Sequence, residues 1–135
     1  GMVCGLTRGA KREHFVRACL ESIAYQVFDV VHAMEADLGE QIKCLKVDGG
    51  GSVSDVLMQF QADILNSLVH RPTMIEATAL GVCFLAGIKC GMWKSVDEIE
   101  RNCVEEKTFC PTMPQDKAAE LIMGWEKAVA RSKFV

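Results

Sequence analysis

Residues 42–64 read IKCLKVDGGGSVSDVLMQFQADI, a passage that changes its period halfway. Over 42–47 the apolar residues Ile42, Cys44, Leu45 and Val47 are interleaved with lysines in the manner of a strand. Asp48 followed by Gly49, Gly50 and Gly51 breaks that run, because three residues without side chains leave the backbone free to turn. Val53, Leu57, Phe60 and Ile64 then recur at helical spacing. Strand, glycine turn and helix in that order make the unit from which α/β folds are assembled.

Moving outward, a long helix is expected from about Lys11 to Leu38, with Val16, Leu20, Ile23, Val27, Val30, Met34 and Leu38 on one face and Gly39 as its stop. The short apolar run 2–6 ahead of it reads as a strand, ended by Thr7, Arg8 and Gly9. Downstream, 67–71 reads as a further strand halted by Pro72. The segment 76–90 is apolar almost all round with Gly91 in the C′ position, which predicts a helix in an interior. Ser95 and Glu98 have capping-box spacing for a short helix, and Ala118, Leu121, Ile122, Trp125 and Val129 mark a last one after Pro114. With two or three strands to share among these helices, the expectation is a helix-rich α/β chain whose small parallel sheet is incomplete.

Composition narrows what such a chain can do. Half of the 135 residues are hydrophobic, enough for a real core and against disorder. A formal charge of -3 with no stripe of Lys or Arg disfavours nucleic acid and anionic membrane as partners. The longest apolar stretch, 77–88, is too short to cross a bilayer and contains Gly81 and Gly87. Seven cysteines, an odd number with no C-x-x-C pair, argue for reduced thiols in a cytoplasmic protein, with Cys19 and Cys83 as small buried hydrophobes. His14, His32 and His70 are too scattered to build a metal site with them, and no signal-peptide pattern opens the chain.

The glycine turn is the one place with binding chemistry. Ligands of open α/β sheets collect beyond the carboxyl ends of strands, and Asp48 to Gly51 lies at such an end. Glycines admit close backbone approach, and a following helix directs unpaired N–H groups toward a phosphate. The turn lacks both the G-x-G-x-x-G spacing and the G-K-[ST] ending of the well-known nucleotide loops, so taken alone it reads as a plain tight turn.

Resemblance shifts that balance. G-M-V-C-G-L, T-R-G-A-K-R-E and H-F-V-R-A-C-L-E over 1–21 resemble the second signature of the carbohydrate kinase (FGGY) family, with Cys19 as the one unusual residue. V-D-G-G-G-S-V-S-D-V-L-M-Q-F-Q-A-D-I-L, V-x-R-P, E-A-T-A-L-G and A-G-I-K-C-G-M-W-K-S-V-D-E-I follow in the family's order, and F-C-P-T-M-P and G-W-E-K-A-V-A-R-S resemble its tail. The similarity covers essentially the whole chain, and L-M-Q-F-Q-A-D-I-L is more similar to glycerol kinases than to xylulokinases or ribulokinases.

This resemblance implies that residues 1–135 are the C-terminal segment of the family's nucleotide-binding domain, part of an actin-like (ribonuclease H-like) ATPase fold. It implies ATP and ADP as ligands, with Gly49 and Gly50 near the ribose and α-phosphate. Glycerol kinases usually carry Asn four residues beyond the second glycine, near the adenine; this chain has Ser54. A hydroxyl offers one hydrogen bond where an amide offers a bidentate face, and Ser54 reads equally as a helix N-cap. Asp48 reads as turn chemistry, the small residues after Glu76 as close packing, Arg8 and Arg12 as solvated surface, and Trp93 and Trp125 as core anchors. The implied reaction moves the γ-phosphate of ATP to glycerol with Mg2+ present. Its general base and polyol site would lie upstream, so the chain is expected to be a fragment with no catalytic or metal-ligating residue of its own and inactive alone, while the full-length enzyme is expected to be a homo-oligomer. Another polyol or ketose kinase, or a noncatalytic nucleotide-sensing module of the same fold, remains an open alternative.

Overall fold

The computed structural model describes residues 1–102 and 105–133. Helix α1 (Arg12–Leu38) starts where the Nδ1 of His14 accepts from the Lys11 backbone N–H at 3.0 Å, and ends at Gly39, whose φ of 75° is the left-handed conformation of a helix stop. Strand β1 (Cys44–Lys46) leads through a 3-10 turn (Gly50–Val53) into α2 (Asp55–Leu65). Strand β2 (Leu68–Pro72), helices α3 (Ala77–Lys89) and α4 (Val96–Asn102), strand β3 (Glu105–Phe109) and helix α5 (Gln115–Ser132) follow.

The strands form one sheet in the order β1-β2-β3. Leu45 pairs with Val69 in the parallel half, and Val69 with Phe109 in the antiparallel half. Side chains alternate across a strand, so Leu45, Val69 and Phe109 share the face that meets α2. That helix is buried along most of its length, and α1 lies on it with Ala24 and Tyr25 inward. The Tyr25 ring meets Phe60 edge-on at 5.5 Å and stacks on Trp125 at 5.3 Å. The Trp125 Nε1–H donates to the Asp29 carboxylate at 2.8 Å, tying α5 to α1.

Several expectations are corrected. Residues 2–6 form no strand: a lone extended segment has no ladder to join, and Val3 and Leu6 stay exposed. The third strand is instead β3, and its antiparallel pairing makes the sheet mixed where a parallel one was expected. Helix α3 is not interior, since Val82 is 66% and Leu85 71% exposed. Its contact is with Trp93, which stands edge-on to Phe84 and fills the space beside Gly87. Cys19 and Cys83 are exposed rather than buried, and Cys103 lies outside the described residues. Among the described residues no helix is long and apolar enough to cross a membrane.

Candidate functional site

The carboxyl end of β1 is held on both sides of the turn that follows it. The Val47 N–H donates to the His70 carbonyl at 3.0 Å, and the Gly49 N–H to the Ile75 carbonyl at 2.7 Å. The second bond sets the turn beside the start of α3. Gly49 adopts φ 76° and ψ 175°, a combination that a residue with a Cβ adopts only under strain. Its carbonyl accepts twice from Ser52, from the N–H at 3.1 Å and from the hydroxyl at 2.7 Å, which explains why Ser52 is buried in an otherwise open loop.

Gly50 and Gly51 are different. Neither has a positive φ, both are exposed, and a Cβ at either would meet nothing within 4 Å. Their backbone is therefore open to a ligand. The unusual conformation expected of the turn belongs to Gly49 alone. Ser54 closes the turn as the N-cap of α2, its Oγ accepting from the Leu57 N–H at 3.3 Å. The N-cap reading thus describes its geometry, and its hydroxyl proton remains available to donate. The three expected residues Gly49, Gly50 and Ser54 are brought into one turn. Asp48 is exposed beside them; Arg8, on the segment leading into α1, and Arg12, the first residue of α1, are exposed near the N-terminal end of the described residues.

The residue that sequence reading missed is Arg71. It sits near the end of β2, 6% exposed, and its Nη1 donates to the carbonyls of Ser52 (2.9 Å) and Val53 (3.2 Å) and to the Asp55 carboxylate (2.9 Å). Lys107 from β3 takes the other Asp55 oxygen at 2.7 Å. Hydrogen bonds from Lys107 and Arg71, in that order of effect, hold the Asp55 carboxyl below its ordinary range. The signal that could have found it is Arg71 at a strand position next to Pro72 and two residues from Val69, because a buried guanidinium demands partners.

Three hollows near the N-terminal segment, the largest about 500 Å³, are lined by residues such as Cys4, Phe15, Tyr25 and Trp125, and none of the three includes Gly49, Gly50 or Ser54. Among the described residues no three His, Cys, Asp or Glu side chains converge as metal ligands would.

Comparison with known proteins places this arrangement. Residues 1–90 match the C-terminal domain of the FGGY family of carbohydrate kinases. The chain is 54% identical over 132 residues to a glycerol kinase of Caldanaerobacter subterraneus subsp. tengcongensis, covering 98% of this chain and 27% of that protein. It is 51% identical over 133 residues to glycerol kinase 2 of Pseudomonas aeruginosa, covering 98% and 26%. It spans, in other words, about a quarter of the length of these relatives. Among solved structures, Plasmodium falciparum glycerol kinase with ADP superposes with a TM-score of 0.83 at 33% identity, over 95% of this chain and 26% of that one. Xylulose kinase from Rhodospirillum rubrum follows at 0.73 and 25%, over 95% and 26%. The helix-rich chain with its small mixed sheet is thus part of an actin-like ATPase fold. With the match running through α1, the glycine turn and α3, the chain belongs to the FGGY family of carbohydrate kinases.

Proposed function

We propose that residues 1–135 are the C-terminal segment of the nucleotide-binding domain of an ATP-dependent glycerol kinase. The full-length protein transfers the γ-phosphoryl group of ATP to a primary hydroxyl of glycerol, giving ADP and glycerol 3-phosphate. The observation that carries this reading is the 54% identity to a glycerol kinase across 132 residues of this chain. The likeness to a glycerol kinase solved with ADP supports the nucleotide half of it.

Phosphoryl transfer asks little covalent chemistry of a protein and much positioning. In this reading the open backbone at Gly50 lies against the ribose and α-phosphate, Gly49 supplies the bend that brings it there, and the Ser54 hydroxyl faces the adenine. The general base and the polyol pocket belong to the remainder of the full-length protein. Mg2+ is usually held by substrate phosphates and one or two carboxylates. Bound that way, it would enter with the nucleotide. The full-length protein is read as cytoplasmic, from its unpaired cysteine pattern, and as homo-oligomeric.

The test is a coupled assay on the full-length protein with glycerol, ATP and magnesium, beside xylulose and gluconate as competing acceptors. Preference for either competitor over glycerol would refute the acceptor assignment. Ser54→Asn tests the adenine contact separately: the amide caps a helix as well as a hydroxyl does, so stability should hold while the ATP-over-GTP preference rises. An unmoved preference would leave Ser54 as a cap alone.

A further inference from the structure

Strand β3 lies beyond residues 1–90, the span matched by the family, yet its Lys107 reaches the first residue of the helix that follows the glycine turn. Its Lys107 and the Arg71 of β2 grip one carboxylate from two sides, Asp55 Oδ2 at 2.7 Å and Oδ1 at 2.9 Å. Both cations also lie against the Phe109 ring, Lys107 at 4.9 Å and Arg71 at 5.5 Å from its centre. Asp55 is the first residue of α2. The carbonyls that Arg71 holds belong to Ser52 and Val53, the last two residues of the 3-10 turn. The grip therefore falls on the part of the turn that follows the glycines.

That part needs holding. Gly50 and Gly51 touch nothing through side chains, and consecutive glycines lose much conformational freedom when a loop is fixed. A loop ordered only when its ligand arrives spends binding free energy on the ordering, whereas one fixed beforehand does not. We propose that Arg71 and Lys107, acting through Asp55, are positioning residues for the nucleotide, so that strand β3 sets how tightly the glycine turn binds it. This rests on the nucleotide reading of Gly49, Gly50 and Ser54. Arg71 fixes the carbonyls directly; Lys107 fixes the carboxylate that Arg71 shares.

The experiment is ADP calorimetry and steady-state kinetics on the full-length protein. Lys107→Met removes one half-exposed ion pair and should weaken ADP about two- to fivefold, in keeping with pairs of that exposure. Arg71→Lys, which keeps the charge but not the planar fork, should weaken it on the order of tenfold. Lys107→Arg should restore affinity. KM for ATP should rise in both weakened variants while KM for the phosphoryl acceptor stays put. A role in folding alone would lower kcat through a smaller active fraction and leave both KM values unchanged, and that pattern overturns the proposal. Gly49→Ala separates the two readings. If it weakens ADP while Arg71→Lys and Lys107→Met do not, positioning is wrong and the nucleotide assignment stands. If none of the three variants moves ADP affinity, both are wrong.

Discussion

Gly49 and Gly50 are adjacent and chemically identical, yet they lack a side chain for different reasons. At Gly49 the backbone requires it, because φ 76° with ψ 175° is a region reached essentially by glycine. At Gly50 the backbone is ordinary and the surroundings are empty. Gly49→Ala should therefore cost about 1–3 kcal/mol of folding stability, whereas Gly50→Ala should change it by no more than about 0.5 kcal/mol. Urea denaturation of the two variants checks the contrast; equal losses would show that the turn is not built as described. A second residue-scale expectation concerns Tyr25, the single tyrosine of the chain. Burial, with the Glu21 carboxylate adding and Arg17 opposing, pushes its phenol up to about 12. The folded state thus favours the neutral ring. Its contribution to stability is complete below the unfolded value of about 10 and is lost as pH climbs from there through about 12. A phenolate absorbance titration should give a midpoint near 12 when native and near 10 in denaturant, and a native midpoint at the lower value would contradict the burial.

Elements were legible in the sequence where period and punctuation agreed. Helix α1 ends at Gly39 as its left-handed stop requires, α2 follows the glycine turn, and Gly91 with φ 77° lies just beyond α3. Strand β3 was not legible. Glu-Glu-Lys-Thr-Phe opens on three charged residues and has Thr108 as its one β-branched residue, and it is extended because β2 offers a ladder and Phe109 a place in the core. Conversely, 2–6 has the composition of a strand and no partner among the described residues. Pairing, which is non-local, decided both cases against composition. The stretch L-M-Q-F-Q-A-D-I-L shows the same gap between pattern and cause. Gln61 Nε2 donates to the Ala24 carbonyl of α1 at 3.2 Å. Gln59 Nε2 reaches the Cys110 carbonyl at 2.8 Å, and Asp63 Oδ1 accepts from the Thr112 and Met113 N–H groups at 2.6 and 3.1 Å. The polar letters of that motif are latches between elements. Asp63→Ala should strand two backbone donors and cost about 1–3 kcal/mol. Amide exchange at Thr112 and Met113 should rise well above that at Val69, and unchanged exchange at the pair would mean that the latch does not hold the segment.

At the scale of the whole molecule the chain, on the proposed reading, carries one wall of the nucleotide site, and it exposes much apolar surface. Along α1, Val16, Ile23, Val30, Met34 and Leu38 form a bare stripe beside the face that packs on α2. Val82 and Leu85 of α3 are bare as well, and among the described residues β1 has a hydrogen-bonded neighbour on one side only. Surfaces of this kind recruit other chains, so the 135-residue polypeptide alone should self-associate, with scattering mass rising with concentration. A clean monomer at high concentration would count against that. The same incompleteness bears on activity. Phosphoryl transfer depends on holding donor, acceptor and metal in line, and effective molarities of that size come only from a site that fixes both reactants. Here Gly50 and Gly51 are open, the hollow of about 500 Å³ lies by the N-terminal segment, and among the described residues no three His, Cys, Asp or Glu side chains gather as metal ligands would. A ligand laid on one wall gains a fraction of the contact area that an enclosing cleft provides, so nucleotide affinity should be weak too. The polypeptide of residues 1–135, incubated with glycerol, ATP and magnesium in a coupled assay, should therefore show no turnover above background. Turnover at the pace of an ordinary kinase would mean that this chain assembles a complete active site by itself, and would overturn the assignment of the base and the acceptor pocket to residues outside it.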